Sequence, residues 1–87
     1  MEPEERFVAF FSAKGMRVSD DRRIVLRAAL AKWGLFTGES LAEQLPKLPR
    51  STIYRTLKMM VEVGLLKAAA DLEAFEVANS GNRQPRF

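Results

Sequence analysis

Residues 48–66, LPRSTIYRTLKMMVEVGLL, decide the fold of this chain. Ile53, Leu57, Met60 and Val61 fall at i, i+4, i+7 and i+8, a spacing that lines them along one side of a helix. That spacing predicts a helix over residues 50–63. Gly64 follows the last apolar positions and suits a left-handed C-terminal cap. Ser51, Tyr54, Arg55 and Lys58 fall at i, i+3, i+4 and i+7 on a different face. This second face is polar, basic and aromatic within its first turns. Such a face suits a DNA major groove, with hydroxyls and cations for phosphates and planar groups for base edges. A solvated surface helix carries the same kinds of charge, so the helix alone leaves both readings open.

The sequence on the N-terminal side supplies a bundle for this helix. Residues 3–14 form a predicted first helix, with Pro3 in its first turn and Glu4 and Glu5 placed to complement the helix dipole. Phe7, Phe10 and Phe11 follow at i, i+3 and i+4, the spacing of core anchors rather than of a base-stacking platform. Gly15 ends this helix. Ser19 is the expected cap of a second helix, and Asp20 and Asp21 stand in its first turn. The second helix is expected to run to Lys32 or Trp33. Ile24, Val25, Ala28 and Ala29 make one apolar strip, and Leu26, Leu30 and Trp33 make another. Two strips predict a helix packed on both sides, the centre of a small bundle. Arg22, Arg23 and Arg27 lie outside the strips, as a solvated face or as phosphate contacts.

Gly34, Leu35 and Phe36 are expected to form a turn, and Thr37 to cap a short third helix over residues 38–45. Leu41, Ala42 and Leu45 of that helix face inward, and Pro46 stops it. A short turn then leads into the helix at residue 50. Two helices joined this way, the second with polar residues at its start, form a helix-turn-helix pattern. Beyond Gly64, residues 65–70 and 74–77 are expected to be two short strands joined at Asp71, Leu72 and Glu73. The alanine run 68–70 is equally compatible with a helical extension. Phe75 and Val77 share one face of the second strand and Glu76 the other. The predicted fold is therefore mainly α with a small β-hairpin. It is a winged helix-turn-helix of three to four helices and a two-stranded antiparallel wing. Residues 1–78 form the domain, and residues 79–87 a flexible tail.

Composition limits the chemistry. An 87-residue chain is a single domain, just large enough for an unaided core. It contains no cysteine and no histidine. Thiolate chemistry, zinc–thiolate sites and imidazole catalysis are therefore excluded. No catalytic residues, no metal and no cofactor are expected. The N-terminal MEPEERF has no signal-peptide pattern, and no stretch approaches the ~20 apolar residues of a membrane helix. A cytoplasmic location with no membrane partner is expected. The chain carries a net +3, but the charge is uneven. Residues 22–58 hold Arg22, Arg23, Arg27, Lys32, Lys47, Arg50, Arg55 and Lys58 against Glu39 and Glu43, a net of +6. A footprint of this kind raises affinity for phosphate backbones without conferring sequence preference.

Several segments, taken in order, resemble the DNA-binding domain of the ferric uptake regulator (Fur) family. They are GMRVSDDRRIVL at 15–26, TGESL at 37–41, STIYRTL at 51–57 and VGLL at 63–66. The resemblance implies a transcriptional regulator, a repressor, bound to double-stranded DNA at an A/T-rich inverted repeat. It implies that Tyr54 and Arg55 enter the major groove, Tyr54 against thymine methyls and Arg55 at a guanine edge or phosphate. Ser51 and Thr52 would bind phosphate at the helix N-terminus. Arg17 would enter the minor groove and read its width, and Arg22 would contact the backbone. Arg50 and Lys58 are added to this set by helix geometry rather than by the resemblance.

The chain departs from the family in three places. These 87 residues stop where the family's metal-sensing dimerisation domain, with its His-rich sites and Cys-x-x-Cys motifs, would begin, either as a piece of a longer protein or as a relative that lost that half. Leu35 and Phe36 stand where the family often has a histidine, and the turn Asp71-Leu72-Glu73 is shorter and less glycine-rich than the usual wing. Metal sensing is therefore not carried over. The expected state is a monomer in isolation, dimeric only on DNA or through a missing C-terminal domain. The alternative function is a winged-helix protein–protein interaction module using Tyr54, Met59 and the wing.

Overall fold

The computed structural model describes residues 2–69 and 73–78. The expected tail, 79–87, and Asp71 and Leu72 of the expected hairpin turn lie outside the described residues. The elements are α1 (Pro3–Ala13), α2 (Asp20–Leu30), β1 (Phe36–Thr37), α3 (Gly38–Gln44), α4 (Arg50–Val63), β2 (Leu66–Ala69) and β3 (Ala74–Val77). The architecture is mainly helical with a small antiparallel sheet, arranged as a winged helix-turn-helix.

Three helices begin, and the fourth ends, for a local chemical reason. Glu2 and Glu5 form a capping box at α1, with the Glu2 N–H donating to Glu5 Oε1 at 3.1 Å. Ser19 caps α2, its Oγ accepting from the Arg22 N–H at 3.3 Å. Thr37 caps α3, its Oγ1 accepting from the Ser40 N–H at 3.0 Å. Gly64 ends α4 at φ 92, a left-handed conformation that most side chains oppose.

The core is arranged around α4. Ile53, Thr56, Leu57 and Met60 are fully buried, and α4 packs against α1, α2, α3 and β2. The expected stripe holds, except that Val61 lies at its margin and is half-buried. Thr56 was not foreseen there. Its hydroxyl donates to the Thr52 carbonyl at 2.7 Å, which removes the cost of burying it. From α1, Phe7 and Phe11 enter the core with ring centroids 5.0 Å apart. Phe10 is only half-buried, because it lies at the edge of the stripe that Phe7 and Phe11 centre.

Two expectations about α2 are corrected. The helix stops at Leu30, so Trp33 lies beyond it and is 59% exposed. Ile24 is 45% exposed, and the buried face is Val25, Leu26 and Ala29. One buried face needs one main partner, and that partner is α4. The centre of the bundle is therefore α4 rather than α2.

The sheet is also larger than the expected hairpin. Phe36 belongs to a strand, not to a turn. β1 pairs antiparallel with β3, giving the order β1-β3-β2. Phe36 stands opposite Phe75, with ring centroids 5.8 Å apart, and Leu66 stands opposite Val77. These four side chains are buried, so the sheet closes the core beside α3 and α4. The alanine run lies in β2 as far as Ala69.

Leu57→Ala should test the dependence on α4. Leu57 is wholly buried on the helix that packs against four other elements. The cavity should cost about 2–5 kcal/mol, a large share of the stability of a small domain. Denaturant unfolding followed by circular dichroism measures it. A loss near zero would show that α4 is not the core's centre.

Candidate nucleic-acid interface

The outward face of α4 carries Ser51, Tyr54, Arg55 and Lys58, all exposed, because the opposite face is fixed in the core. Arg50 is exposed at the start of the helix, and Thr52 is half-buried beside Ser51. Arg55 and Lys58 form no ion pair among the described residues.

The N-terminus of α4 differs from those of the other described helices. α1 has Glu4 and Glu5 in its first turn, α2 has Asp20 and Asp21, and α3 has Glu39. α4 has no acidic residue there and no side-chain cap. Pro49 supplies only its carbonyl, which accepts from the N–H groups of Thr52 and Ile53. The positive end of the helix dipole thus meets hydroxyl and guanidinium groups rather than an internal carboxylate of its own turn. That arrangement favours an external anion.

Tyr54 is held from α3. Its ring lies across Gly38 so closely that a Cβ at that position would stand 2.4 Å from Tyr54 Cε1. Its hydroxyl donates to Glu39 Oε1 at 3.3 Å. The same oxygen receives Arg50 Nη1 at 2.7 Å. Thr37, Glu39, Tyr54 and Glu73 line one cleft, so the start of β3 stands beside α3 and α4. Loss of solvent around the phenol pushes Tyr54 above its ordinary 10.0, and the nearby carboxylates of Glu39 and Glu73 push the same way.

The remaining predicted contacts lie on other elements. Arg17 is exposed in the segment between α1 and α2, where it lines a cleft with Val8, Ser12, Met16 and Arg23. Arg22 is half-buried, with its guanidinium over the Phe11 ring at 5.2 Å. No hydrogen bond or ion pair joins either arginine to the α4 set among the described residues.

Arg23 and Arg27 are engaged within the protein. Both meet Glu4 Oε2, at 2.9 and 3.1 Å, and Arg27 Nε also donates to Oε1. The Arg27 hydrogen bond is the main reason the Glu4 carboxyl sits below its usual range. Two of the eight cations in the middle of the sequence therefore share one acid, Glu4, which folds back on them.

Sequence reasoning missed Gly38 and Glu39 as parts of the site. Both stood in the TGESL segment, but helical periodicity relates neighbours on one helix. It gives no signal for a contact between α3 and a helix fifteen residues further on. Among the described residues no group of His, Cys, Asp and Glu could hold a metal ion, and no helix is long and apolar enough to cross a membrane.

Tyr54 is the chain's single tyrosine, so ultraviolet titration of the phenolate reports it alone. Its midpoint is expected above 10.0, the ordinary value. Glu39→Gln, which keeps an acceptor and removes a charge, should bring the midpoint part of the way back. A midpoint indifferent to that substitution would show that Glu39 does not face the phenol in solution.

No protein-family model matches this chain, and no curated protein does either.

Proposed function

We propose that this chain binds double-stranded DNA in a sequence-dependent manner, as the reader domain of a Fur-like transcriptional repressor. α4 lies in the major groove. The observation that carries this is the outward face of α4. A helix start with no side-chain cap and no acidic residue in its own first turn, bearing Ser51 and Thr52, is followed by Tyr54, Arg55 and Lys58 on a helix fixed by its buried side. Rigid presentation of hydroxyl, cationic and planar groups on one helix is what groove recognition requires. The ordered resemblance of residues 15–26, 37–41, 51–57 and 63–66 to the Fur family supports the same reading. It also supplies the expected A/T-rich inverted repeat. In this reading the chain works in the cytoplasm, monomeric until two copies share one site. Neither a metal nor a catalytic group takes part.

The roles divide by chemistry. Arg55 reads a base edge, and Tyr54 contacts thymine methyls. Ser51, Thr52 and Lys58 contact phosphates, and Arg50 stands beside them in its ion pair with Glu39. Arg22 contacts the backbone, and Arg17 enters the minor groove. The alternative, a protein-interaction module, needs Met59 as an outward anchor. Met59 instead packs against the core, which favours the DNA reading.

Phosphate contacts release counterions, so log K should fall linearly and steeply with log salt. A flat response between low and physiological salt would remove the DNA reading in favour of a protein partner. Arg55→Ala should leave the fold intact and cost about 1–3 kcal/mol on a matched site, relaxing preference at one base pair. Arg22→Ala should weaken matched and scrambled sites alike and shallow the salt slope by roughly one unit. It also loses the contact with Phe11, worth about 0.5–1 kcal/mol of stability. Binding to both duplexes, with circular dichroism on each variant, separates these outcomes. An Arg55→Ala protein that still discriminates as well as the parent would refute the role given to Arg55.

A further inference from the structure

The recognition face contains an acidic residue that its proposed role does not explain. Glu39, in the first turn of α3, is exposed and lies against the start of α4. A carboxylate beside a phosphate-binding surface repels the ligand. A surface evolved only for affinity would not keep one there. Glu39 nevertheless holds two members of the face with a single oxygen, Arg50 Nη1 at 2.7 Å and the Tyr54 hydroxyl at 3.3 Å. The Tyr54 ring meanwhile rests on Gly38, the residue next to Glu39.

We propose that Glu39 is a positioning residue that sets the balance between selectivity and affinity at this face. Its carboxylate screens Arg50 from phosphates and fixes the direction of the Tyr54 ring toward base edges. This inference rests on the DNA-binding reading and deepens it. Screening acts on every duplex equally, because phosphates carry no sequence information. Positioning acts on the matched site alone, because only there does a fixed Tyr54 meet its methyl group. A cation kept from the backbone lowers binding to unrelated DNA, and an aromatic ring held in one place keeps binding to the matched site. Both effects come from one carboxylate, and they can be separated by chemistry. Gln keeps an oxygen that accepts from Tyr54 but has no charge to hold Arg50. Ala has neither.

The test compares the parent, Glu39→Gln, Glu39→Ala and Glu39→Gln with Arg50→Ala on a matched and a scrambled duplex across a salt series. Circular dichroism confirms that each variant is folded. Glu39→Gln should steepen the salt slope by about one unit on both duplexes, equivalent to a roughly three- to fourfold larger loss of affinity over a fourfold rise in salt. It should keep the parent's ratio of matched to scrambled affinity. Adding Arg50→Ala should return the slope to the parent's value. Glu39→Ala should show the steeper slope and also a several-fold lower ratio.

A Glu39→Gln slope equal to the parent's overturns the screening. A Glu39→Ala ratio equal to the parent's overturns the positioning, with DNA binding itself left standing. A parent protein that binds neither duplex in a salt-dependent way defeats the DNA reading, and this inference with it.

Discussion

The structure depends on a helix that has two jobs on two faces. α4 must be apolar where it meets α1, α2, α3 and β2, and polar where it meets solvent. Ile53, Leu57 and Met60 satisfy the first demand and Ser51, Arg55 and Lys58 the second. Because burial orients the helix, the outward residues have fixed directions rather than an ensemble of them. In this fold the rigidity of the candidate interface comes from hydrophobic packing on the opposite side of the same helix. The sheet extends that support. Phe36 and Phe75 close the core beside α3, so Thr37 can both pair in β1 and cap α3.

Charge is arranged with the same economy. Basic residues cluster in the middle of the sequence, yet three of them are drawn onto carboxylates. Glu4 gathers Arg23 and Arg27, and Glu39 takes Arg50. These pairs are exposed or only partly buried, so each contributes little to stability. Their larger effect is on the electrostatic footprint. Arg55 and Lys58, on α4 itself, have no acidic partner among the described residues. The pairing of Arg23 and Arg27 with Glu4 therefore leaves Arg55 and Lys58 as open cations of the α4 face.

The sequence made legible what is local in the chain. α4 begins and ends where its periodicity and Gly64 place it, and Ser19 and Thr37 cap the helices they precede. These features rest on neighbours within a turn or two. The errors lie where the deciding partner is remote. Phe36 resembles part of a turn because a two-residue strand has no period of its own. It becomes a strand only through pairing with β3, which follows after three intervening elements. Ile24 and Trp33 have apolar side chains at helical spacing, but α4 covers only one face of α2, and α2 ends before Trp33. Thr56 failed in the other direction. A polar residue sits in the buried stripe because its hydroxyl finds a carbonyl one turn back.

The candidate site shows the same division between local and remote causes. Its outward set on α4 follows from spacing alone, whereas the groups that hold that set come from α3. Gly38 is the clearest instance. No turn or positive φ requires a glycine at this position, and its side-chain hydrogen would be replaceable on α3 taken by itself. The requirement comes from Tyr54, whose ring occupies the space that a Cβ would fill. The absence of a side chain on one helix is therefore what allows an aromatic ring on the next to lie against it, with its hydroxyl at Glu39. A helix-turn-helix pair is usually described by the angle and turn between its helices. Here the two helices are also fitted at the first turn of α3, where a glycine and a glutamate give the tyrosine of α4 a surface to lie on and an acceptor to hold.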